Sequence, residues 1–126
     1  MSTGYLNTDL DIASSTPIDQ LVTELEQLTT LLHYEQFDDG MWQARIETES
    51  WHQQPQDSLD NLLDVINRLS PAAGKQWDNL IAKDFNIGWQ AGTQRPEGRY
   101  TVSAATLKGI AKLGGTLSAT IYPAEP

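Results

Sequence analysis

The sequence contains no cysteine, which excludes a disulfide framework, a thiol nucleophile and thiolate metal sites, and removes any need for an oxidising compartment in folding. Positive charge is scarce: 8 Lys and Arg against 17 Asp and Glu leave a formal charge of −9, so direct binding of nucleic acid through phosphate neutralisation is not expected. No apolar run approaches the roughly 18 residues of a membrane-spanning helix. Residues Met1 to Leu10 also lack the basic region and following apolar stretch of a secretory signal. The expectation is a cytoplasmic protein with no membrane partner.

Groups for catalysis are equally thin. There are two histidines, His33 and His52, and no serine stands in a nucleophile-elbow context. Asp9 with Asp11, or His33 with Glu35, would put two ligands on one strand face, but neither pair has a third at a recognisable metal spacing. Phosphate cradling has no Gly-rich strand-to-helix loop, and Arg95 and Arg99 are the one clustered pair of guanidiniums. No catalytic residue, metal or cofactor is therefore expected.

What is present is a chain of 126 residues with 39% apolar positions, enough for one core and too little for two. Its charge is uneven: residues 1–63 carry twelve acids and one base, Arg45, whereas residues 64–126 carry five acids and seven bases. No linker, repeat or low-complexity tract separates the halves. A single domain over residues 1–126, acidic on one side, follows.

Apolar and polar residues alternate through Leu6, Thr8, Leu10 and Ile12, the period of a half-buried strand. Thr16 before Pro17, with Asp19 three residues after the threonine, predicts a capped helix start with Ile18, Leu21, Val22, Leu25 and Leu28 as its buried stripe. The period returns to two over residues 31–37. Asp38, Asp39 and Gly40 then supply a tight turn, and residues 41–49 return as a partner strand with Trp42, Ala44 and Ile46 on one side and Gln43, Arg45, Glu47 and Glu49 on the other. After a loop from Trp51 to Gln56, a helix capped by Asp57 or Ser58 is predicted with Leu59, Leu62, Leu63, Ile66 and Leu69 inward. Ser70 and Pro71 stop it and open another whose apolar contacts are Trp77, Leu80 and Ile81. A strand over 85–91 and a turn-rich stretch over 92–98 follow. Ser103 then caps a helix with Leu107, Ile110 and Ala111 inward and Gly114 as its left-handed stop, and a last strand runs from Thr116 to Tyr122. Of the tryptophans, Trp42, Trp77 and Trp89 are expected in the core.

This order predicts an α+β fold: a ferredoxin-like sandwich with a mainly antiparallel sheet, helices on one face, and one helix and strand appended at the C-terminus. The stretches Phe85 to Gly92 and Tyr100 to Pro123 resemble the bacterial domain-of-unknown-function family numbered 4279, with its strand, its Ser-capped helix closing in Leu-Gly and its final strand ending in Ile-Tyr. The matching residues are caps, stops and core positions, so the resemblance implies fold rather than site. Small acidic bacterial proteins of this size include immunity partners of secreted toxins, and the analogy adds a candidate role.

The acidic N-terminal half points to a non-enzymatic interaction protein, most concretely an immunity or inhibitor protein neutralising a basic protein partner such as a bacterial toxin. A surface of one sign speeds encounter with an oppositely charged partner and repels wrong ones. Glu35, Asp38, Asp39, Glu47 and Glu49 on the hairpin are the expected contacts, with Trp51 as an anchor. The alternative is a small-molecule or regulatory binding domain using an open sheet face or the Arg95 and Arg99 loop.

Overall fold

A computed structural model describes residues 4–48, 54–91 and 99–123. Five strands and four helices alternate along the chain: β1 (Tyr5–Ser14), α1 (Asp19–Leu28), β2 (Thr30–Gln36), β3 (Trp42–Glu47), α2 (Pro55–Asn67), α3 (Pro71–Asp78), β4 (Ala82–Gln90), α4 (Ala104–Lys112) and β5 (Thr116–Tyr122). The strands form one sheet in the order β2-β3-β1-β4-β5. Its first three pairings are antiparallel, and β4 with β5 is parallel, as a helical crossover between them requires. The fold is thus α+β, with an open, mostly antiparallel sheet.

Sheet residues of the hydrophobic core come from one face, namely Leu10, Ile12, Ala44, Ile46, Phe85 and Ile87, and buried residues of all four helices join them there. The four helices therefore share that face. Period-two alternation leaves the residues between these on the opposite face. The β2–β3 turn forms as the sequence predicts: Phe37 N–H donates to Met41 O, Asp39 Oδ1 accepts from Met41 N–H, and Gly40 takes φ +86°. Ser70 and Ser103 cap α3 and α4 by accepting from Ala73 and Thr106 N–H, and Gly114 takes the left-handed stop at φ +77°.

Several sequence expectations are corrected. Thr16 does not cap α1; the helix begins after Ile18 without a side-chain cap of its own. Distant groups serve its first N–H groups instead: Ile18 donates to Tyr34 Oη and Leu21 to Gln76 Oε1, both at 2.8 Å. In α2 the start lies at Pro55, before Asp57 and Ser58, because proline suits the first helical position and needs no donor. Ser58 is fully buried, and its hydroxyl meets that of Tyr5 at 2.9 Å. Leu6 is half exposed rather than inward because the β1–β4 register shifts between Tyr5 and Asn7, a bulge that returns Tyr5 to the helical side.

Leu28, Ile81 and Leu107 are likewise exposed, and so is Ala111. In α4 the inward residues are Ile110 and Thr106, each 3% exposed, and the threonine is tolerated inside because its hydroxyl donates to Asp60 Oδ1 at 2.6 Å. Ile81 N–H bonds Ala13 O, so that residue already belongs to the sheet rather than to the helix before it. Trp77 is in the core, whereas Trp42 and Trp89 are only half-buried; Trp89 packs against the rings of Tyr5 and Tyr100.

Candidate binding face

The face opposite the helices carries two cross-strand rows. One runs Thr30, Glu47, Asp9, Asn86 and Ser118; the next runs His33, Arg45, Asp11, Asp84 and Thr116. Four carboxylates thus meet on three central strands beside a single guanidinium, and Glu35 joins them from the edge strand opposite Gln43. The register does this work. Asp9 and Asp11 alternate with core residues Leu10 and Ile12, Arg45 and Glu47 flank Ile46, and Asp84 precedes Phe85, so every one is turned away from the core.

Each acid is held differently. Arg45 Nε donates to Asp11 Oδ1 at 2.6 Å, and that bond, with the negative charge around it, pushes the guanidinium's already high pKa further up. The hydroxyls of Thr116 and Ser118 both donate to Asp84 Oδ1, at 2.7 and 2.8 Å. Glu47 Oε2 accepts from the Asn7 amide at 3.0 Å. Asp9 is the exception: it is 7% exposed, and its Oδ1 has no hydrogen-bond partner. Burial first, then the neighbouring carboxylates of Glu47 and Asp11, raise its pKa from 3.8 to about 6 against the opposing pull of Arg45. Like charges directly opposite on adjacent strands are destabilising, so Asp9 and Glu47 form a costly pair.

A cavity of about 300 Å³ lies on the same face, lined by Asp11, His33, Gln43, Arg45 and Asp84 among others. His33 Nδ1 is buried there without a hydrogen-bond partner. Among the described residues no group of three or more His, Cys, Asp and Glu could hold a metal ion, and no helix is long and apolar enough to cross a membrane.

Of the acids expected from the sequence, the structure brings Glu35 and Glu47 onto this face. Asp38 and Asp39 lie exposed in the turn at its end, Asp39 occupied with closing that turn. Glu49, Trp51, His52 and Arg95 lie outside the described residues. Asp9, Asp11 and Asp84 were not legible as one cluster, because Asp9 and Asp11 are separated from Glu47 by 36 or more positions and only the sheet order joins them. The alternation of acids with core residues was the available signal. No family model, curated protein or solved structure matches the chain.

Proposed function

We propose that this is a non-enzymatic binding protein whose sheet face opposite the helices docks a cationic partner, most concretely an inhibitor or immunity protein neutralising a basic protein such as a bacterial toxin. The observation that carries this is the Asp9 carboxyl, buried opposite Glu47 and beside Asp11 with its Oδ1 lacking a hydrogen-bond partner. Such a pair costs stability in the free protein, and an incoming ammonium or guanidinium group relieves it, so the cost is returned on binding. Glu35, Glu47, Asp11 and Asp84 extend the same sign around it, while Asp38 and Asp39 add to the field from the adjacent turn. The order β2-β3-β1-β4, with α1 and α2 as crossovers on one face, supports a ferredoxin-like sandwich to which α3, α4 and β5 are additions.

The test pairs genetics with kinetics. A gene directly upstream encoding a large secreted protein with a basic C-terminal domain names the partner, and co-expression of this chain is expected to rescue cells from that domain. Asp11→Asn combined with Glu47→Gln and Asp84→Asn is expected to slow association about tenfold at low salt and flatten its salt dependence. Unchanged association kinetics in a folded triple variant would remove the face from the interaction. A small ligand held in the cavity between Asp11, His33, Arg45 and Asp84 is the alternative, distinguished by saturable binding that persists at high salt.

A further inference from the structure

The sheet ends at two edges that are built differently. On β2 the register is broken between Leu31 and His33, and Glu35 stands in the strand; a bulge and a charge are the usual devices that prevent edge-to-edge pairing. On β5 neither is present. Its register with β4 is continuous from Thr116 to Tyr122, the strand contains no charge and no proline, and six of its seven residues are exposed. Leu117, Ile121 and Tyr122 are 38%, 68% and 44% exposed. Among the described residues nothing pairs with the outer edge of this strand.

The direction of the free backbone groups follows from the inner edge. Tyr122 O accepts from Ala91 N–H on the β4 side, so in a parallel pair the backbone groups of Leu117, Ala119 and Ile121, the alternate residues, point outward. The same three carry apolar side chains, while Thr116, Ser118 and Thr120 put hydroxyls, and Tyr122 its ring, on the other face. From Leu117 to Ile121 the strand is therefore chemically symmetric about Ala119. Reversed and laid against itself, it places Leu117 opposite Ile121, Ser118 opposite Thr120 and Ala119 opposite Ala119.

We propose that β5 pairs antiparallel with β5 of a second copy about a two-fold axis at Ala119, joining the two sheets into one of ten strands. The outward N–H and C=O groups of Leu117, Ala119 and Ile121 then make about six hydrogen bonds between copies, and two Leu117–Ile121 contacts close the helical side. The axis stands perpendicular to the sheet, so the helices of both copies stay on one face and the acidic faces lie together on the other. Charge favours this edge over β2: β2 carries Glu35 and leads into the Asp38 and Asp39 turn, whereas β5 carries no charged residue, so copies with a total charge of −9 each approach with least repulsion here.

Sedimentation of the full chain between about 1 and about 500 µM is expected to show a reversible monomer–dimer equilibrium, as fits a short edge-to-edge interface. Ala119→Pro removes an outward N–H that the monomer does not use, and Ile121→Lys places a cation against Leu117 of the other copy. Each is expected to weaken the dimer at least about tenfold while circular dichroism stays unchanged. The register has its own test in a chain free of native cysteine. Ser118→Cys mixed with Thr120→Cys is expected to form a disulfide between copies on mild oxidation, since non-hydrogen-bonded antiparallel pairs bring Cα atoms to about 4.5 Å. Ser118→Cys alone is not, because those positions are offset along the strand by two residues. A wild-type monomer at every concentration, a dimer indifferent to both folded edge variants, or cross-linking of Ser118→Cys with itself would overturn the proposal.

Discussion

Replacing Asp9 by Asn tests whether the sheet face holds charge at the expense of stability. Asn keeps the shape, removes the ionisation, and can donate to Glu47 across the strand pair. In the folded protein the Asp9 carboxyl titrates at about 6 instead of 3.8, so the native state binds a proton that the unfolded chain has already released between those values. Stability then falls as pH rises through that window and levels off above it. The span of the shift corresponds to about 3 kcal/mol, an upper figure because a neighbouring carboxylate can relax away once both are charged. Asp9→Asn lacks this loss. Urea unfolding at pH 8 is expected to show the variant more stable than wild type by about 1–3 kcal/mol, a midpoint shift on the order of 1 M. Near pH 4 the gain is expected to shrink toward zero, since wild-type Asp9 is then protonated in the folded state. A variant less stable at pH 8, or a gain independent of pH, would refute the reasoning.

Other expectations follow from the same geometry. Arg45→Gln removes the cation that opposes the rise in the Asp9 pKa; a carboxyl ¹³C titration should place Asp9 higher than in wild type, with a stability loss at neutral pH of about 1 kcal/mol or less, as the pair is partly solvated. Tyr5→Phe strips the partner from the buried hydroxyls of Thr8 and Ser58 and should cost about 1–3 kcal/mol in denaturant unfolding, because both are fully buried. Glu24→Gln weakens the acceptor of the Ser70 N–H and O–H bonds. Those bonds hold the Glu24 pKa below its usual value, so wild type should lose stability as pH falls through the carboxylate range. The variant should lose less over the same window, read as a smaller drop in melting temperature toward low pH.

Much of the fold was legible because its signals are local. Ser70 before Pro71, Ser103 ahead of α4, Asp39 and Gly40 in the hairpin turn, and the alternation through Ala44, Arg45 and Ile46 each act within a few residues, and each does in the structure what its chemistry predicts. Failures occurred where a distant group supplied what the local pattern lacked. Tyr34 and Gln76 replace a side-chain cap on α1, Asp60 makes Thr106 an interior residue in place of Leu107, and the bulge near Leu6 shifts which residues of β1 face the helices. The binding face divides the same way. Glu35 and Glu47 were visible as one strand pair, but the central position of β1 in the sheet decides that Asp9, Asp11 and Asp84 stand among them. A sequence pattern states which side of a strand a residue takes; it does not state which strand lies next to it.

The most direct test of the acidic face is an amide chemical-shift map of the full chain titrated with an oligolysine peptide at low salt. Changes are expected on β1, β3 and β4 around Asp9, Asp11, Arg45, Glu47 and Asp84, fading with added salt and in the triply neutralised variant. Changes spread evenly over every acidic residue, or centred on the helices, would contradict the claim that this side of the sheet is where a cation binds.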